Sequence, residues 1–167
     1  MAQTSTIRLD FLCVQNAGRS QMAAAFAERE RDERGLDNLV EIHSGGTDPA
    51  DQIHEEVAAA MSEIGIDLSD RKPRYVVLEN LKDSHFLITM GCSISQFNPA
   101  RYGVEHQAWG LTNPDGKEME TVREVRDEIE QRVQGLFDEI ERTANERTVQ
   151  KSLSQRVTSA IRDTISF

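Results

Sequence analysis

Residues 7–26 read IRLDFLCVQNAGRSQMAAAF. Ile7 to Val14 mixes β-branched and aromatic residues and runs into Gln15-Asn16-Ala17-Gly18, which predicts a buried strand ending in a loop. From Arg19 the chain is rich in alanine and long side chains and stops at Gly35, the pattern of a helix closed by glycine. Strand, tight loop and helix in that order are the opening of an α/β fold built on a parallel sheet.

The alternation continues outward. Leu39 to His43 predicts a second strand ending at Ser44-Gly45-Gly46. Ile53 to Ile64 predicts a helix with Ile53, Val57, Ala60, Met61 and Ile64 on one face. Val76 to Leu81 is too short for its period to assign. His85 to Thr89 reads as a third strand delivering Met90-Gly91-Cys92, and Val104 to Trp109 as a fourth. Glu118 to Glu141 carries Met119, Val122, Ile129, Val133, Leu136 and Ile140 at helical spacing. Helices therefore flank a parallel sheet, and ligands are expected at the carboxyl ends of its strands, where Cys13, Ser44 and Cys92 fall. Val149, Leu153, Val157, Ile161 and Ile165 recur every four residues, which predicts a further helix packed either on the domain or, in a homodimer, on a second copy. The chain divides on this reading into a domain at 1–144 and a C-terminal helical extension at 145–167.

The 167 residues carry 19 basic and 29 acidic side chains, a net charge of −10, with 38% hydrophobic residues. That suits one globular domain and excludes a general nucleic-acid binder, which needs a cationic face. No apolar run approaches the ~20 residues that span a bilayer, and the first dozen residues show no export signal. The expected location is cytoplasmic, without membrane or nucleic-acid partners. Few lysines beside many arginines and carboxylates suggest a high-salt cytosol, although an ordinary acidic protein fits the same counts.

Cys13 and Cys92 are the only cysteines, too far apart for a CxxC motif, and no His/Cys cluster has metal-ligand spacing, so no metal is expected. His43, His54, His85 and His106 are scattered, as packing or surface residues are. The chemistry concentrates in Cys13-Val14-Gln15-Asn16-Ala17-Gly18-Arg19-Ser20. Five residues between cysteine and arginine let the backbone curl so that the amides of Val14 to Arg19 point inward at a tetrahedral oxyanion, with the helix N-terminus behind them. Arg19 offers a planar fork to two oxyanion oxygens. Positive surroundings favour Cys13 as a thiolate nucleophile, and Ser20 is placed to donate to its sulfur. Gly18 permits close approach, and Asn16 tolerates a left-handed conformation.

FLCVQNAGRSQMAAAF resembles the active-site loop of thiol-dependent arsenate reductases of the low-molecular-weight tyrosine phosphatase superfamily. HSGGTDPA, IGIDLSDRKP, ITMGC and WGLTNPDGKEMETVREVRDEIEQRV extend the resemblance over about residues 7 to 140. It implies the phosphotyrosine protein phosphatase I fold, a four-stranded parallel sheet with helices on both faces. It further implies that Cys13 attacks arsenate to form a thiol-arseno adduct, and that Cys92 then attacks Cys13, releasing arsenite and leaving a Cys13–Cys92 disulfide. No bound cofactor is implied; the electrons come from an external reductant, a thioredoxin-like protein or a small thiol. Two departures stand out. Ser93 to Tyr102 lacks the third cysteine usual in thioredoxin-coupled members, and Asn113-Pro114 stands where the family has Asp-Pro, whose aspartic acid protonates the leaving oxygen. Asparagine cannot donate that proton, and Asp115 is a candidate substitute. By resemblance Ser44 braces the loop asparagine. A low-molecular-weight tyrosine phosphatase, or a catalytically weak oxyanion-binding regulatory module, are the alternative functions.

Overall fold

The computed structural model describes residues 6–165, with side-chain environments given through residue 158. Strands β1 (Ile7–Cys13), β2 (Val40–Gly46), β3 (Phe86–Thr89) and β4 (Glu105–Ala108) form one sheet in the order β2-β1-β3-β4. Every pairing is parallel. Three α-helices accompany it: α1 (Arg19–Glu33), α2 (Glu55–Ser62) and α3 (Met119–Ile165).

The pleat of the central strands separates two cores. Ile7, Leu9, Phe11 and Cys13 of β1 join Phe86, Ile88 and Met90 in a large cluster with Met22, Phe26, Val57, Met61, Ile129 and Phe137 of the helices. Met22 and Phe26 are fully buried, each contributing about 1.5–3 kcal/mol of transfer free energy to the docking of α1. Leu12 and Leu87 turn the other way, to Leu81, Phe97 and Val104. Two short 3-10 helices, Leu78–Asp83 and Pro99–Tyr102, cover that face. The four-stranded parallel sheet with helices on both faces expected from the sequence is the architecture found.

Four segments differ from the sequence reading. β2 continues through Ser44, Gly45 and Gly46, in register with Phe11, Leu12 and Cys13. The two glycines let residues 74–76 close on the strand, with Gly46 N–H donating to Arg74 O at 2.9 Å and Val76 N–H to Gly46 O at 3.0 Å. α2 is shorter than 53–64, and Ile64 lies beyond it, 37% exposed. Val76 to Leu81 runs into the 3-10 helix that begins at Leu78, with only Leu81 buried, which explains why its period assigned nothing.

The largest difference is in α3, which runs without interruption across residue 144. No glycine or proline follows Gly135, so nothing in the sequence ends the helix there. Val122, Val125, Ile129, Val133, Leu136, Phe137 and Ile140 bury its first half. Val149, Leu153 and Val157 are 57%, 54% and 59% exposed, so this stripe does not pack on the domain that carries it. The Ile161 and Ile165 side chains lie outside the described environments. Among the described residues no helix is long and apolar enough to cross a membrane.

Candidate active site

β1 ends at Cys13 and α1 begins at Arg19, so the loop between them stands at the carboxyl edge of the sheet. Its carbonyls are drawn to one side: Thr47 N–H donates to Cys13 O (3.2 Å), Asp48 to Val14 O (2.8 Å), Ala50 to Gln15 O (3.0 Å) and His54 to Ala17 O (3.0 Å). With the carbonyls tied outward, the amides of Val14, Gln15, Ala17 and Gly18 turn the other way, and among the described residues none of them donates to a protein acceptor. A chain of free amides at a helix N-terminus is a cradle for an anion.

Asn16 is the exception and the organiser. Its φ is 50°, the left-handed conformation asparagine tolerates, and its N–H turns back to Cys13 Sγ at 3.2 Å. Its side-chain oxygen accepts from Arg74 N–H (3.0 Å) and from Gln21 Nε2 (3.1 Å). Because a backbone N–H only donates, this fixes the amide orientation and leaves Nδ2 to donate to Ser20 Oγ at 2.7 Å. The Ser20 hydroxyl hydrogen is then free to point to Cys13 Sγ, 2.9 Å away. The buried sulfur thus receives two donors, one of them oriented by Asn16.

Arg19, 8% exposed, is anchored through Nη1 to Leu111 O at 3.1 Å. Two glycines make room for this arrangement. A Cβ on Gly91, whose φ is +71°, would stand 2.6 Å from Arg19 Nη1. One on Gly46 would stand 2.6 Å from Val14 O. Cys13, Val14, Gln15, Gly18, Arg19, His54, Gly91, Leu111 and Asn113 line a cavity of about 410 Å³. The loop cysteine and arginine therefore face one space.

Cys92 lies just past β3, whose neighbour in the sheet is β1. Met90 N–H donates to Leu12 O at 2.8 Å, so the chain leaves the sheet beside Cys13 before reaching Cys92. Both cysteines are free. Cys92 packs against the smaller core, and burial pushes its thiol up. The charge of Cys13 adds to that shift, while a Met90 backbone hydrogen bond and Arg19 oppose it.

Two expected placements need correction. Ser44 does not brace Asn16 among the described contacts, because Gln21 and the Arg74 amide occupy the asparagine oxygen and Ser20 takes its amino group. Ser44 instead lines a separate cavity of about 120 Å³ with Arg8, Asp10, Arg74 and Tyr75. Asp115 does not line the main cavity either. Its N–H donates to Asn113 Oδ1 at 3.1 Å, and its carboxylate lies 3.7 Å from His54 Nδ1. Asn113 does face the cavity, and Pro114 beside it packs on Gly18 of the loop.

The family model for the low molecular weight phosphotyrosine protein phosphatases matches residues 8–147. The chain belongs to this family. A protein of Halobacterium salinarum named "Putative arsenate reductase" is 54% identical over 139 residues, 83% of this chain and 96% of that one. The thioredoxin-dependent arsenate reductase of Corynebacterium glutamicum has a solved structure matching with a TM-score of 0.69 and 30% identity, covering 85% of this chain and 65% of that longer one. An arsenate reductase solved in its phosphate-binding state matches with a TM-score of 0.67 and 28% identity, covering 81% of this chain and 99% of that one. Within the phosphatase family frame, sequence reasoning missed His54, Gly91 and Leu111 at the cavity and Gly46 behind the loop. Their only early signal was proximity to the strand ends that carry Ser44 and Cys92.

Proposed function

We propose that the protein is an arsenate reductase that takes its electrons from an external thiol. The observation that carries the reading is the pair of free cysteines at the carboxyl ends of adjacent strands, one inside an anion cradle closed by arginine. Hydrogen arsenate occupies the cradle, held by the amides of residues 14–18 and the Arg19 fork. The Cys13 thiolate forms an S–As bond as one As–O bond breaks, the departing oxygen leaving as water once protonated. The Cys92 thiolate next attacks Cys13 sulfur. The S–As electron pair passes to arsenic, which falls from +5 to +3 and departs as arsenite, and the protein is left with a Cys13–Cys92 disulfide. Closing that bond requires Cα atoms within about 7 Å or movement of the segment around Cys92.

The disulfide is reduced by a thioredoxin- or glutaredoxin-type protein or by a small thiol. Without a third cysteine in Ser93 to Tyr102, the reductant attacks the Cys13–Cys92 bond itself. Ser20 and Asn16 steady the sulfur, and Asn113 marks the vacated acid position. That substitution weighs against a phosphatase, whose alkoxide leaving group depends most on a general acid. The reaction belongs in the cytoplasm, where thiols stay reduced.

The domain ends near residue 144, and the extension is a docking segment for a second copy. Arg147, Lys151, Arg156 and Arg162 outnumber Glu146 and Asp163 there, while the chain as a whole carries −10, so charge complementarity favours another acidic body of the same kind. Incubating reduced protein with arsenate and the two reductant classes separately tests the function. Arsenite formed with reductant turnover supports it, and a stable phosphorylated Cys13 from phosphate esters without any loss of the Cys92 thiol contradicts it.

A further inference from the structure

We propose that His54 is the proton donor of this site, in the role that Asn113 cannot fill. The inference rests on the arsenate-reductase reading only for the identity of the leaving oxygen. His54 lines the same cavity as Cys13, Arg19 and Asn113, with its side chain 17% exposed. The main chain locks it to the cradle: its N–H donates to Ala17 O at 3.0 Å, and its ring carbon Cδ2 would lie 3.6 Å from a Cβ on Gly18.

Both ring nitrogens face acceptors. Nε2 lies 2.7 Å from Gln15 Oε1, the contact made by a ring that carries its hydrogen on Nε2. Nδ1 faces the Asp115 carboxylate at 3.7 Å. The Asp115 carboxylate stands on the Nδ1 side of the ring, and a carboxylate behind a histidine is the usual way to orient a ring that handles protons. Asn113 contributes by holding Asp115 in place through its side-chain oxygen. The charged groups around the ring are Asp115 from the loop after β4, Arg19 at the start of α1, Cys13 at the end of β1, and Glu55 and Glu56 on the first turn of its own helix.

In the step itself, Cys13 sulfur bonds to arsenic and one As–O bond breaks. The departing hydroxide takes the Nε2 proton and leaves as water, while the Gln15 side chain gives up that hydrogen bond. Arsenic stays at +5, and neutral His54 regains a proton from solvent. Gln15 thus holds the proton over the cavity until an anion arrives.

The test is the single-turnover rate of Cys13–Cys92 disulfide formation with arsenate, followed by mass across pH, in the full-length wild type, His54→Gln, Asp115→Asn and His54→Gln/Asn113→Asp. The expected loss in His54→Gln is about 100-fold. The ratio of wild-type to His54→Gln rate changes with pH, as a proton donor requires and a structural residue does not, a comparison that cancels the titration of Cys92. Asn113→Asp restores at least about tenfold in the His54→Gln background, more than it adds to the wild type. A constant ratio across pH, or no rescue by Asn113→Asp, overturns the proposal and leaves His54 a structural residue. Should His54→Gln fail to fold, Asp115→Asn decides: a pH profile displaced from the wild type supports the donor, and an identical one overturns it. If the wild type forms no disulfide with arsenate, the reductase reading fails by itself. The same variants on phenyl phosphate and 4-nitrophenyl phosphate then decide the donor, since loss of an acid slows the poorer phenolate leaving group more and a structural defect slows both alike.

Discussion

Asn16 shows how one side chain sets the chemistry of another. Its oxygen is committed to Arg74 N–H and Gln21, so its amino group reaches Ser20 and the serine hydrogen is turned onto Cys13. Gly91 plays a steric counterpart. Alanine there meets the Arg19 guanidinium and a left-handed backbone at φ +71°, so Gly91→Ala is expected to weaken phosphate binding at least about tenfold by titration calorimetry, the loss of a charged hydrogen bond. Unchanged affinity contradicts the placement of Arg19. Asn113→Asp puts an acid on the cavity edge, and hydrolysis of aryl phosphates is expected to rise, by about 10²-fold in the His54→Gln background and by less in the wild type, measured as phenolate release. An unchanged rate contradicts the assignment of Asn113 to the acid position. Cys13, Asn16, Arg19 and Ser20 were legible because the loop is local: strand, turn residues and helix start fix their spacing. His54, Gly91 and Leu111 were not, because only tertiary packing brings them to the loop, and a lone histidine ahead of a helix reads as surface.

At the level of elements, the parallel pairing of β1 with β3 brings the two cysteines to one edge, and the packing of Cys92 sets its timing. Burial holds the Cys92 thiol above its ordinary range, so its thiolate fraction at neutral pH is small and rises with pH. Where attack by Cys92 limits the rate, disulfide formation is therefore expected to accelerate about tenfold per pH unit from neutrality until Cys92 is ionised, in stopped-flow quenching followed by mass. A flat profile contradicts this. A second element-scale effect sits at the other end of β1, where Arg8 N–H donates to His85 Nδ1 at 2.9 Å. Burial pulls this histidine down, with Arg147 adding to the effect and Asp83 opposing it. A lowered folded-state value means the unfolded chain binds the proton first, so stability is expected to be full above about pH 6.5 and to fall as pH drops below it. Thermal melts of wild type and His85→Asn test this, the variant losing part of the acid sensitivity; equal sensitivity contradicts it. The succession of strands and helices along the chain and the helix faces were readable from period and punctuation, whereas the order of strands in the sheet and the lengths of β2 and α2 were not, because the 74–76 segment extends β2 through a contact the linear pattern does not contain.

For the whole molecule, the continuous α3 joins an acidic domain to an exposed basic segment. Its buried face ends at Ile140, and an isolated stretch of helix beyond it is marginal in water without a partner surface. Removing residues 145–167 is expected to leave the melting temperature of the domain within a few degrees while abolishing self-association in analytical ultracentrifugation; a truncated chain that still dimerises contradicts the extension's role. Continuity of the helix was itself implicit in the lack of glycine and proline after Gly135, but the two apolar stripes suggested two helices where the backbone makes one. On the proposed reading the protein performs one act, the transfer of two electrons from the cysteines to the anion in the cradle. The most direct measurement is the mass of the alkylated protein after arsenate is added to fully reduced chain with no reductant present. The account predicts that Cys13 and Cys92 together escape alkylation, in step with arsenite released; arsenite without thiol loss, or both thiols still alkylated, contradicts it.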